Sequence, residues 1–318
     1  MNSRLKRIDL GSQSGAGLTA ASLYWDVPKT GILAALELII TGNLTTAPST
    51  PTAVGMAAAV NRVRLIANAG INLIDVSGVG YHYLFRDYID DYSDPVADSD
   101  AKDTVASGAY NVSMIFPIAI NSRDEVGLIM LQNNDTQLRL EVTKGAATDI
   151  ANDFTVMTFD VRPIIYVHTV PVDPKDWPAF EYAHTITEEQ TTVSGAGSVT
   201  WNWPRGNLYA QVIHGLGVGT TGSDDWTDAA LRVNQSDYLM PPLPPAHFTR
   251  EFYKTHGRAR ELGHIGLFDG LGDSGLGCYG SARDLLDSRV LTDIQSVITA
   301  GAAGTLYTIK RQLVPLPK

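Results

Sequence analysis

Leu138-Arg-Leu-Glu-Val-Thr-Lys-Gly-Ala-Ala147 has a counterpart late in the chain, Ile294-Gln-Ser-Val-Ile-Thr-Ala-Gly-Ala-Ala303. In the first stretch Leu138, Leu140 and Val142 alternate with Arg139 and Glu141. That is the pattern of a strand with one face in a core and the other in water. Two more pairs of segments echo each other at similar spacing. Tyr81-His82-Tyr83, closing at Tyr88, matches Ala246-His247-Phe248, closing at Tyr253. The apolar run from Ile32 to Ile40, broken by Glu37, matches the run from Leu208 to Ile213, broken by Gln211. A repeat of this kind predicts two copies of one β-rich domain in series.

Size agrees with that reading. A chain of 318 residues exceeds the roughly 250–300 at which a single core stops growing. Outside the echoes the pattern is one of short β-branched or alternating runs: Arg62–Ala67, Ile71–Val76, Tyr110–Ile120, Val126–Leu131 and Phe154–His168 in the first half. Glu181–Val193, Ser198–Trp203, Leu231–Leu239, Ile265–Phe268, Ser288–Thr299 and Leu306–Leu313 follow in the second. Turn chemistry such as Asn68-Ala-Gly70 and Lys144-Gly145 bounds them. Each half has one aromatic, charged segment at helical spacing (Tyr81–Asp91 and His247–His256), and Ala53–Val60 reads as a further short helix. Pro241-Pro-Leu-Pro-Pro245 reads as a rigid connector that no central strand accommodates. Pro171, Pro174 and Pro178 halt both helix and strand and place a boundary there. The expected division is a flexible basic arm over 1–30, rich in Gly and Ser, then one barrel over 31–172 and a second over 173–318. The fold class is all-β: two tandem eight-stranded jelly rolls with short helical excursions.

Composition limits the function. The net charge of −10 argues against a dedicated nucleic-acid binder, and a charged fraction of 18% suits a surface partly covered by other protein. The single cysteine, Cys278, rules out an intrachain disulfide and a multi-cysteine zinc site. No apolar run reaches the length of a membrane-spanning helix, and the N-terminus lacks the apolar core of a signal peptide, so the sequons at Asn43, Asn111, Asn134 and Asn234 read as incidental.

The chemical motifs are weak. Gly217-Val-Gly-Thr-Thr-Gly222 and Gly270-Leu-Gly-Asp-Ser-Gly275 match a dinucleotide fingerprint in letters, but carboxylates or more glycine follow where a helix must begin, so both read as loops. The seven histidines (His82, His168, His184, His214, His247, His256, His264) show neither H-x-H nor H-x-x-x-H spacing, which leaves a metalloprotease helix and a cupin pair without residues. His82 and His247 stand at matched positions and read as structural. The Asp-rich stretch at 90–103 reads as a solvated loop, lacking the glycine and terminal Glu of an EF-hand. No catalytic, cofactor or metal residues are nominated. Arg4, Lys6 and Arg7 form a basic cluster able to lie on an anionic surface.

The duplicated runs, chiefly Leu138–Ala147 with Ile294–Ala303 and Tyr81–Tyr88 with Ala246–Tyr253, together with the basic N-terminus, resemble the double jelly-roll major capsid proteins of tailless, membrane-containing icosahedral bacteriophages. This tectivirus-like group is related in fold to the adenovirus hexon. The resemblance implies a non-enzymatic virion protein. It forms a homotrimer whose six barrels make a pseudo-hexagonal tile, with neighbouring capsomers, penton or minor membrane proteins as partners. It also implies that Arg4, Lys6 and Arg7 face the interior membrane or genome. Two other readings are a double jelly-roll enzyme (a bicupin or a glycan hydrolase) and a glycan-binding spike or adhesin stacking sugars on Trp201, Trp203, Trp226 and Tyr238.

Overall fold

The structure is a computed structural model that describes residues 5–16, 21–44, 52–68, 70–88, 108–120, 126–132, 135, 137–151, 157–178, 180–219, 223–235, 237–257, 259–271 and 284–316. The Asp-rich stretch, Arg4, Cys278 and the second glycine motif beyond Leu271 lie outside the described residues.

The first eight-stranded unit contains β1 (Leu5–Asp9), β3 (Ser22–Asp26), β4 (Ile32–Leu44), β5 (Val60–Ala67), β6 (Ile71–Val76), β7 (Gly108–Pro117), β9 (Leu138–Lys144) and β10 (Met157–His168). Short β2 (Gln13–Ala16) also pairs with β10, and β8 (Ile129–Met130) pairs with β4. The second unit contains β11 (Tyr182–Val193), β12 (Gly197–Asn202), β13 (Leu208–Leu216), β14 (Trp226–Val233), β15 (Asp237–Leu243), β16 (His264–Asp269), β18 (Ile294–Ala300) and β19 (Gly304–Pro315), with the short β17 (Leu286–Asp287) beside β13.

Numbering the main strands of each unit by their order in the chain exposes the duplication. The first unit's sheets run β1-β10-β4-β7 and β3-β9-β5-β6; the second's run β11-β19-β13-β16 and β12-β18-β14-β15. Both therefore read first-eighth-third-sixth and second-seventh-fourth-fifth, the order of a jelly roll. The three sequence echoes fall on equivalent elements. Leu138–Lys144 and Ile294–Ala300 are the seventh strands, and β4 and β13 are the third. The aromatic segments form the crossovers between fifth and sixth strands. In the first unit this crossover is a turn of helix, α1 (Gly78–Gly80), running into a π-helical turn at Tyr81–Phe85 and a 3-10 turn at Arg86–Tyr88. A short α2 (Ala147–Ile150) follows the seventh strand. The second unit's crossover is the regular helix α3 (Pro245–His256), stopped by Gly257 in a left-handed conformation at φ 68°.

The expected arm over 1–30 is corrected. Leu5–Asp9 pairs antiparallel with β10 and Ser22–Asp26 pairs with β9, so the first barrel begins with the residues assigned to the arm. Between them Gly11 turns at φ 82° and Gln13–Ala16 forms a short strand. Ile8 and Leu10 pack on the core, and Trp25 is buried within it while its Nε1 donates to the Gly11 carbonyl. The run expected as one strand over Leu231–Leu239 is a hairpin. Asn234 and Gln235 take positive φ of 51° and 69° between β14 and β15. Pro241 and Pro242 stand in β15, which is tolerable because β15 is the edge of its sheet and needs no outward donor. A 3-10 turn occupies Gly55–Ala59, within the short helix expected there.

Candidate functional site

The two barrels join edge to edge. Strand β6 of the first pairs in parallel with β11 of the second, Ile74 against Ile186 and Thr187 against Asp75, so one sheet runs across both units. β10 ends at His168 and β11 begins at Tyr182, placing the proline cluster between the barrels.

The crossover 78–88 fills the angle between them. It enters through Ser77, whose hydroxyl accepts from Gly80 N at 2.9 Å and donates to the Glu188 carboxylate at 2.8 Å. Ser77 N also donates to Glu188 Oε2 at 2.8 Å. The Arg62 guanidinium bonds the Glu188 backbone carbonyl at 2.8 Å and lies 3.4 Å from its carboxylate, while its Nε donates to Asp75 at 2.5 Å. A carboxylate removed from water is tolerable only with such partners. Gly80 is required here, since a Cβ would stand 2.1 Å from Glu188 Oε2. The crossover's far side carries Leu84 and Phe85, both fully buried. Phe85 and Tyr81 pack on Phe116 of the first barrel, and Tyr81 Oη accepts from Ile115 N at 2.6 Å.

Against this crossover lies the outer face of the second barrel's sheet. Ile186, Ile213 and Ile309 are buried there and belong to the first barrel's hydrophobic core. Arg311, also buried, sits with its guanidinium 5.6 Å from the Phe85 ring centre. It donates to Gln211 Oε1 and to the Ile120 carbonyl, each at 2.7 Å. Its Nε points to His184 Nε2 at 3.4 Å, so His184 carries its proton on Nδ1 and donates to the Ile118 carbonyl at 3.1 Å. Burial, reinforced by the Arg311 charge, pushes the His184 pKa down to about 3. Inside the second barrel His214 shares the same fate, held down to about 3 by burial, with Thr308 Oγ1 and Ser296 Oγ each at 2.8 Å from its ring nitrogens. Both imidazoles are neutral structural groups.

Of the sequence-nominated residues, Lys6 and Arg7 lie on β1 and are exposed. Strand alternation sends them to opposite faces, so they do not form one patch. Arg7 lies over Tyr166 at 5.3 Å. Both stand at the end of the molecule where Leu5 pairs with His168 and Tyr182 pairs with Pro315. At this end the exposed apolar residues Ile71, Trp177 and Leu316 line an open hollow of about 630 Å3 together with Leu73, Leu128, Phe180 and Tyr182. Sequence reading missed this grouping because its members come from four separated segments. Trp201, Trp203 and Trp226 are buried in the second barrel, so only Tyr238 of the suggested sugar-stacking set is exposed. Gly217 and Gly219 turn at positive φ after β13, and the next element among the described residues is the strand β14.

No family model matches the sequence, and no curated protein does. Solved structures do match. The major capsid protein of Sulfolobus turreted icosahedral virus superposes with a TM-score of 0.70 at 14% identity, covering 98% of this chain and 97% of that one. VP54 of PBCV-1 gives 0.69 at 9% identity, covering 98% and 94%. The major capsid protein P2 of bacteriophage PM2 gives 0.59 at 9%, covering 99% of both chains. The chain has the double jelly-roll fold of these viral major capsid proteins, matched over nearly its whole length.

Proposed function

We propose that this chain is the major capsid protein of an icosahedral virus and resides in the virion shell. One observation carries the reading. Two barrels of identical strand order are fused side by side through a continuous sheet, with no long insertion separating them. Three viral capsid proteins that are only 9–14% identical to this chain share its fold end to end. A protomer of two like barrels forms a pseudo-hexagonal tile when three copies close a ring, and such tiles pack into flat facets. Partners are then further copies of the chain, the neighbouring capsomers and the proteins of the vertices.

The end of the molecule that carries Lys6, Arg7 and the Trp177 hollow is the side we assign to the virion interior. Lys6, Arg7, Trp177 and Leu316 combine cations with amphipathic and apolar groups, the chemistry that suits an anionic lipid surface. Arg4 extends the same charge in sequence. Multi-angle light scattering of the purified chain is expected to give about three times the 34.3 kDa chain mass, and negative-stain images a six-cornered outline. A stable monomer at high concentration overturns the reading. Sedimentation with phosphatidylserine vesicles, reduced on Lys6→Glu with Arg7→Glu, tests the orientation; no binding by the unaltered trimer removes it.

A further inference from the structure

The equivalent elements of the two barrels are covered unequally. Residues 78–88 are buried on both sides, between the first barrel and the outer face of the second. Their equivalent, α3, is buried on one side only, through Phe248 against Trp226 and Phe252 against Tyr88. Its other side presents Ala246, Thr249, Arg250 and Tyr253, with Tyr253 61% exposed. These fall at helical spacing along one stripe.

The sheet faces show the complementary inequality. Ile164 of β10 and Arg311 of β19 each stand four residues before the end of a 12-residue eighth strand. Glu37 pairs with Ile164 as Gln211 pairs with Arg311, and Ile39 is the equivalent of Ile213. Ile213 is buried in the same cluster as Tyr81, Leu84 and Phe85, and Gln211 is buried against Arg311, which lies on the Phe85 ring. Glu37, Ile39, Ile164 and Tyr166 are half-buried on an outer sheet face, and the isoleucines belong to none of the hydrophobic clusters among the described residues. Glu37 accepts from Tyr166 Oη at 2.5 Å and keeps a carboxylate on that face.

We infer that the outer stripe of α3 in one copy seats on the outer face of β10 and β4 in the next, as residues 78–88 seat on β19 and β13 within the chain. Arg250 meets Glu37, and Tyr253 covers Ile39 and Ile164. The contact is heterologous, one surface to a different one, and it closes a ring of three copies where the step between copies repeats the rotation that relates the two barrels within one. The inference rests on the trimer reading above and names the surfaces that make it.

Charge reversal tests it. Glu37→Arg and Arg250→Glu, each alone in the full chain, are expected to raise the apparent trimer dissociation constant at least tenfold by light scattering across a dilution series. The double variant is expected to recover most of the loss. Thermal melts establish folding; should a single variant misfold, Ile39→Cys with Tyr253→Cys in a Cys278→Ser background decides instead, by an interchain disulfide under mild oxidation. Trimers that persist in both single variants, a double variant no more associated than the singles, or no interchain disulfide overturn the proposed contact while leaving a trimer by another surface. An unaltered chain that is monomeric defeats the trimer reading itself.

Discussion

The two barrels share one topology, yet the outer faces of their first-eighth-third-sixth sheets have different fates. In the second barrel that face is interior: Arg311, Gln211, His184 and Glu188 are buried there with the isoleucines that surround them. In the first barrel the same face is open, and its polar groups settle among themselves, Arg162 with Asp9 and Tyr166 with Glu37. A duplicated fold does not duplicate its environment. Desolvation, more than strand order, decides which of two equivalent side chains matters for stability.

The largest expected effect lies at the junction. Glu188→Ala leaves Ser77 N and Ser77 Oγ without their buried carboxylate acceptor and is expected to cost about 3–5 kcal/mol in denaturant unfolding, while Arg62 keeps Asp75 and the backbone carbonyl of residue 188. Glu37→Ala, on the open face, is expected to change the unfolding of the dissociated chain by less than about 1 kcal/mol. Equal costs at the two sites would break the comparison.

Acid sharpens it next. The native pKa values of His184 and His214 are held down to about 3, whereas an unfolded histidine titrates near 6.5. The unfolded chain therefore binds protons first as pH falls. Stability is complete above pH 6.5 and is lost between 6.5 and 3, by up to about 1.4 kcal/mol per pH unit for each histidine. Urea melts at several pH values over this window measure the slope. His184→Gln, at the junction, and His214→Gln, in the barrel, are each expected to flatten it; an unchanged slope in both removes the assignment.

A smaller difference concerns matched isoleucines. Ile213→Val removes a methyl from a filled junction and is expected to cost about 0.5–1.5 kcal/mol, while Ile39→Val is expected to be near neutral in the dissociated chain. Smallest is Arg7→Ala, which loses a stacking contact with Tyr166 on the open face, worth at most about 1 kcal/mol by thermal melt.

Much of this architecture was legible before the fold. The strand Leu138–Lys144 has a strict two-residue alternation because one face is buried, and its echo at Ile294–Ala300 keeps the same alternation of burial. The β1 strand was not legible: Leu5–Asp9 carries three charges in five residues and is an edge strand with little to bury, so nothing in its pattern separates it from a solvated terminus. The hairpin at Asn234 was overlooked for a different reason: its polar turn, Asn234-Gln-Ser-Asp237, carries neither Gly nor Pro to mark the break, and Asn234 and Gln235 themselves take the positive φ. Within the junction, Ser77 and Glu188 lie in separate barrels and carry no mutual signal along the chain.

What the residues determined alone was local and periodic: strand after strand with one apolar face, three repeated segments at similar spacing, and a net charge that argues against a dedicated nucleic-acid binder. What only the tertiary structure decided was which of those faces meets another. Alternation reports that a side chain leaves one side of a sheet, but burial of Arg311 rather than Arg162 depends on the second barrel docking over residues 78–88, a contact between segments far apart in the chain that no local pattern encodes.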